Sequence, residues 1–233
     1  MKKTKFLTIA LCAGLVLSSC TNTAKGTGIG AGGGALLGAI VGKIAGNTAV
    51  GAVIGGAVGA TTGAIIGKHM DKVKAQAEAV KNAQVESVTD ANGLQAVKVT
   101  FDSGILFTTG SATLSQTAKT SLSQFANNVL KVNTDCDVAV QGYTDNAGWK
   151  NSTAEQSTQK NLNLSQQRAD AVSAYLKGIG VSASQIRSTT GYGEANPVAD
   201  NSTAAGKAQN RRVEVYLYAS EAMVNAANNG TLQ

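Results

Sequence analysis

Glycine recurs at every fourth position in two successive runs: Gly30, Gly34, Gly38, Gly42 and Gly46, then Gly51, Gly55, Gly59, Gly63 and Gly67. Residues four apart stack on one face of a helix, so each run presents a smooth groove that lets two helices approach closely. Residues 26–67 hold 15 of the 27 glycines. A flexible linker would interleave them with Ser, Asn or Pro, whereas here Leu36-Leu37, Ile40-Val41, Val53-Ile54 and Ile65-Ile66 fill the gaps. Asn47 to Val50 separates the runs as a turn, which predicts a glycine-zipper helical hairpin over 26–67. Each arm would measure ~26 Å, close to the thickness of a hydrocarbon layer. Glycine costs a helix in water ~1 kcal/mol per residue, so such arms are helical only when packed on each other, on a neighbour or in lipid. Lys43 would have to snorkel or meet a partner. The zipper thus also suits a homo-oligomer, and an oligomeric membrane assembly or pore is the alternative reading of the chain.

Ahead of the zipper, residues 1–19 read as a secretory signal: a basic start, an apolar stretch from Phe6 to Leu17, then small residues. The apolar stretch is too short to span a bilayer as a helix. Leu17-Ser18-Ser19-Cys20 resembles the bacterial lipobox. That resemblance implies cleavage before Cys20 and lipidation of its thiol and new amino group, with acyl chains of the palmitate kind. Residues 20–25 are then a lipidated N-terminus, and Thr21 in second place fits sorting to the outer membrane. Cys12 leaves with the signal, so Cys136 is the one free thiol, expected as a buried small hydrophobe.

The net charge of +6 is not spread over the chain. Residues 1–19 carry +3, residues 20–99 another +3, and residues 100–233 balance ten bases against ten acids. A nucleic-acid binder needs its basic excess on the folded domain, so nucleic acid is excluded as a partner. No histidine lies beyond His69, which rules out Ser-His-Asp or Cys-His chemistry in that half, and no Cys/His spacing suggests a metal site or cofactor. Glu155, Glu194 and Asp145 supply carboxylates without the spacing of a paired acid and base, so the chain is read as non-enzymatic.

Residues 68–94 read as a stalk. Met70, Val73, Ala77 and Val80 recur at helical spacing, and alternating segments 83–89 and 94–101 flank Asp90-Ala91-Asn92-Gly93, a hairpin signal. His69 is expected to face solvent or an interface. Beyond residue 95 strand and helix patterns alternate. Val97–Phe101, Ile105–Phe107, Val138–Tyr143, Ile186–Tyr192 and Val213–Tyr218 read as extended, Leu114–Leu130 and Leu164–Leu176 as helical. The fold class is therefore α/β (α+β), a two-layer domain over 95–219 with a βαβαβ-type mixed sheet, followed by a polar tail at 220–233.

Gly142-Tyr143-Thr144-Asp145-Asn146-Ala147-Gly148, then Asn161 to Ala169 with its Leu-Ser-x-x-Arg-Ala core, resemble the OmpA-like peptidoglycan-binding domain. So do Gly191-Tyr192-Gly193-Glu194 with Pro197, Asn210-Arg211-Arg212-Val213-Glu214-Val215, and the earlier junction Leu106-Phe107 to Ser111-Leu114. With lipobox and zipper ahead of it, the chain is similar to outer-membrane lipoproteins of the YiaD type. The resemblance implies a periplasmic domain that grips the diaminopimelate of the peptidoglycan stem peptide. Asp145 would take its ammonium and Arg168 its carboxylate, a match of acceptor to cation and of guanidinium fork to carboxylate. Asn161 falls on a family ligand position, or else caps a helix, and Arg212 falls on an arginine beside the site. Two departures stand out. Asp145 and Arg168 are separated by 22 residues, more than the family usually has, so Trp149 and Lys150–Lys160 read as an inserted loop. Trp149 is expected to be at least half-exposed, packed in that loop or stacked on sugar. Thr108, Thr109 and Gly110 stand where the family often has acids, which leaves that junction without a ligand side chain.

Overall fold

The computed structural model describes residues 59–232 apart from 91 and 109. The signal, Cys20 and the zipper up to residue 58 lie outside the described residues.

A helix, α1 (Ala60–Glu78), comes first. It carries the last two zipper glycines, Gly63 and Gly67, and continues without a break into the first part of the segment expected as a stalk. Ile66, Met70, Val73 and Ala77 form its buried stripe at helical spacing and join the main core. Strands β1 (Ala83–Thr89) and β2 (Gln95–Asp102) follow as an antiparallel hairpin, with Asp90 Oδ1 accepting from the Asn92 and Leu94 amides to close the turn.

The expected extended stretch at Ile105–Phe107 is instead mostly a short helix, α2 (Ser103–Leu106), started by Asp102, whose carboxylate accepts from the Gly104 amide. Phe107 alone is extended, bridged to Leu114. Ser115 caps α3 (Gln116–Phe125), which ends in a single π turn, Ala126–Leu130. After β3 (Cys136–Gly142) comes the long helix α4 (Ala154–Gly178). The run Lys150–Lys160, expected as a loop, is helical from Ala154 onward. Thr153-Ala154-Glu155-Gln156 is a reciprocal capping box, Thr153 Oγ1 accepting from the Gln156 amide while Gln156 Oε1 accepts from the Thr153 amide. Strand β4 (Ile186–Gly191), helix α5 (Ala204–Asn210), strand β5 (Arg212–Ala219) and helix α6 (Glu221–Asn228) complete the chain. Residues 220–233, expected as a polar tail, thus include a helix whose Met223, Val224 and Ala227 are buried in the core.

The five strands form one mixed sheet in the order β1-β2-β5-β3-β4, with β3 and β4 parallel and the other pairs antiparallel. Helix α4 makes the crossover between the parallel pair. Strand alternation sorts β5 cleanly. Val213, Val215, Leu217 and Ala219 enter the core beneath the helices, while Tyr216 and Tyr218 belong to a second cluster with Ala96, Ala139 and Val88. Glycine decides how closely α4 lies on the sheet. A Cβ at Gly142 would stand 2.2 Å from the Ser165 carbonyl oxygen, and one at Gly191 would stand 2.2 Å from the Gln166 amide nitrogen. Backbone contact at these two strand ends holds the middle of α4, and with it Asn161 and Arg168, over the mouth of the sheet.

Candidate functional site

The site lies where the segment after β3 turns toward α4. Tyr143 and Thr144 continue the sheet, their amides donating to the Arg212 and Gly193 carbonyls at 2.9 and 2.8 Å, and Asp145 is the next residue. Asp145 is 6% exposed. Its Oδ1 accepts from the Ala147 amide at 3.1 Å, bending the loop back, and its Oδ2 accepts from Arg211 Nη1 at 2.5 Å. One carboxylate therefore has its orientation fixed from two sides while remaining on the wall of an open cleft of about 750 Å³.

Arg168 reaches the same cleft from α4. It is 4% exposed, lies 5.1 Å from the centre of the Phe107 ring, and donates Nε–H to the Ser111 carbonyl at 3.0 Å. Among the described residues no carboxylate pairs with it. Burial and the neighbouring Arg211 pull its guanidinium below the ordinary value, with Asp145 opposing them. A buried cation costs several kcal/mol of desolvation unless an anion answers it, on the order given for buried ions generally. Arg168 and Asp145 thus bring a guanidinium and a carboxylate to the lining of one cleft.

Asn161, expected as a ligand or a cap, is neither at a helix end nor free. It is 3% exposed in the body of α4, and Thr153 does the capping. Its carboxamide donates to the Asp145 and Ala147 carbonyls and to Glu194 Oε2, and accepts from the Trp149 indole N–H at 2.8 Å. It therefore ties the Asp145 loop, the tryptophan and the loop after β4 together while lining the cleft.

Arg212 does not reach the cleft. Strand β5 places it on the face opposite the helices, 5% exposed, with Nε donating to Glu214 Oε1 at 2.7 Å and its other nitrogens to the Asn210 and Asn196 carbonyls. Its guanidinium stacks 3.9 Å from the centre of the Tyr143 ring, whose other neighbour is Tyr192 at 5.4 Å. Glu214 also accepts from Tyr216, and burial pushes both the Tyr143 and Tyr216 hydroxyls up. Arg211, passed over in the sequence, is the arginine in the cleft. The signal was the alternation of β5: the aliphatic residues at 213, 215 and 217 face the helices, so an odd-numbered arginine belongs on their side.

His69 is half-buried beside Asp135, Nε2 to Oδ2 3.4 Å, instead of facing solvent. With Cys136 these residues bring three potential metal donors within 4.8 Å of one another, a grouping the sequence spacing did not reveal. Cys136 is 1% exposed, its Sγ 4.0 Å from Met70 Sδ, packed as a small hydrophobe, and burial pushes its thiol up. None of the three lines the cleft.

A mixed five-stranded sheet with helices packed on it opens on a cleft that brings together an anchored carboxylate and a buried guanidinium. Residues 106–211 match the OmpA family and residues 1–71 match the YMGG-like Gly-zipper family. The chain is 40% identical over 151 residues to the probable lipoprotein YiaD of Escherichia coli, covering 65% of this chain and 64% of that protein. It is 44% identical over 86 residues to the peptidoglycan-binding protein ArfA of Mycobacterium tuberculosis, covering 37% of this chain and 24% of that one. The chain thus spans less than two thirds of the length of these curated relatives. Among solved structures it is similar to a MotB-like protein from Desulfovibrio vulgaris, with TM-score 0.56, 22% identity, and coverage of 68% of this chain and 96% of the other. It is also similar to the cell wall anchor of the type VI secretion system of Pseudomonas aeruginosa, with TM-score 0.51, 28% identity, and coverage of 65% and 97%. No helix among the described residues is long and apolar enough to cross a membrane.

Proposed function

We propose that the chain binds peptidoglycan without covalent chemistry, through the diaminopimelate of the stem peptide, and so tethers the outer membrane to the cell wall from a lipid on Cys20. The observation that carries this reading is Arg168, a buried guanidinium without a carboxylate partner in the same cleft as the anchored Asp145. A zwitterionic amino-acid centre has the complementary pair of charges. Its carboxylate would meet the Arg168 fork, and its ammonium would meet Asp145, which Arg211 and the Ala147 amide already hold in place. Asn161 acts on this reading as the brace of the Asp145 loop, and Arg212 as a support beneath it. The relatives named for peptidoglycan or wall binding support the polymer as the ligand. On this reading the domain holds its ligand and releases it unchanged.

Stem peptides with lysine in place of diaminopimelate lack the distal carboxylate, which would leave Arg168 desolvated and unanswered. The test is calorimetric titration of the full chain in detergent with diaminopimelate and with lysine. Saturable binding of the first alone, lost in Arg168→Ala and in Asp145→Ala, is expected. Binding that survives both substitutions would end the assignment. A fragment beginning near residue 80 is unsuitable, because it omits the α1 side chains that fill the core.

A further inference from the structure

The cleft continues past the charged pair. From Asp145 its wall runs through Ala147 and Gly148 to Trp149 and Asn161. A cavity of about 750 Å³ falls in the range that encloses a whole drug-sized molecule, and the end of a single amino-acid side chain leaves much of it unfilled. Trp149 is fixed there ahead of any ligand. Its indole N–H is spent on Asn161 Oδ1 and its amide donates to Ser157 Oγ at 3.0 Å. Glu194 secures the bracket, accepting from Asn161 Nδ2 and from Thr158 Oγ1. With its one donor occupied, the indole offers a ligand only its flat apolar surface. Gly148 beside it adds no side chain, and the Lys160 ammonium stands over one face of the ring, 5.9 Å from its centre, leaving the other face for a ligand.

We infer that Trp149 forms a second subsite, for the N-acetylated amino sugar to which the stem peptide is amide-linked. The inference rests on the cleft being a stem-peptide site. A pyranose presents C–H bonds on one face and hydroxyl or acetamido groups around its edge. The C–H face suits the negative face of an aromatic ring. Continuity selects this occupant: the subsite opens from the same cleft as Asp145 and Arg168, and the sugar is joined to the peptide they would hold. A held indole loses little on binding, because Asn161 already orients the ring and Ser157 its backbone.

Trp149 is the only tryptophan of the chain, so the native protein reports on the subsite by its own fluorescence. The full chain in detergent is titrated with diaminopimelate, with a sugar-free stem peptide, and with the same peptide linked to its amino-sugar disaccharide. The linked ligand should bind about five- to ten-fold tighter than the sugar-free peptide, the gain of one aromatic-face contact. It alone should shift the Trp149 emission. In Trp149→Ala the ratio between the two peptides should fall to about one, and Trp149→Phe should recover part of it. A ratio near one in the native chain, or emission that responds equally to both peptides, overturns the subsite and leaves the stem-peptide reading standing. Failure of diaminopimelate and both peptides to bind removes the stem-peptide reading itself.

Discussion

Arg211 and Arg212 are neighbours in the chain, and each pairs with a carboxylate, yet the two pairs are built for opposite ends. Arg212 and Glu214 lie two apart on one face of β5, their side chains 6% and 3% exposed, with Tyr143, Tyr216 and two backbone carbonyls completing the enclosure. Arg211 and Asp145 come from distant segments and meet on the wall of a cleft, the Arg211 side chain 38% exposed. Nearly every strong donor and acceptor of the first pair is used up inside the protein. The second pair lines the cleft, with each Asp145 oxygen accepting one hydrogen bond, and beside it Arg168 donates Nε–H to the backbone. An enclosed pair shapes the fold; an open pair next to an unanswered cation is equipped to receive a ligand.

Substitution should separate the two sharply. Arg212→Ala strands Glu214 in the interior and should cost about 3–5 kcal/mol of stability in urea unfolding, whereas Arg212→Met with Glu214→Met should recover most of it. Arg168→Ala should do the reverse, leaving the unfolding midpoint close to native while diaminopimelate affinity falls about a hundred-fold or more, as for loss of one member of a buried charge pair. Arg168→Lys should recover little, since an ammonium cannot replace the planar fork. Gly142→Ala tests the platform both pairs share: the new methyl meets the Ser165 carbonyl, and overpacking of that kind costs about 1–3 kcal/mol, with ligand affinity falling as α4 shifts. The smallest effect belongs to Arg211→Ala, under about 1 kcal/mol in unfolding for so exposed a pair, with a modest loss of affinity as Asp145 loses one of its two holds. A large unfolding effect there, or none at Arg212, would erase the distinction.

Much of this was legible in the residues. The hairpin over 83–101, the strands at 138–143, 186–192 and 213–218, and the motifs bearing Asp145 and Arg168 all follow from pattern and resemblance. The misses have local physical causes. Ile105-Leu106-Phe107 is too short an apolar run to separate helix from strand by periodicity, and the Asp102 cap settled it. The start of α4 was written in Thr153 and Gln156, a capping box hidden within a polar run. The α1 stripe was visible from Met70 on, but amphipathic spacing tells which face is buried without saying against what. Only the sheet and α6 reveal that Ile66 to Ala77 belong to the core. Arg211 was lost by matching an arginine to a motif without asking which side of the strand it faced. Trp149 and Asn161 were both singled out, yet the hydrogen bond that joins them spans twelve residues and one helix start, a relation no linear spacing encodes.

Helix α1 has a mechanical meaning as well. Because the last zipper glycines and the first core side chains share one rigid rod, tension arriving from the segment before Gly59 is delivered straight into the domain's interior. To unwind α1 beyond its first turns, a pull must drag Ile66 and then Met70 out of an apolar core. From Ile66 onward the chain therefore yields length only as the core itself is opened.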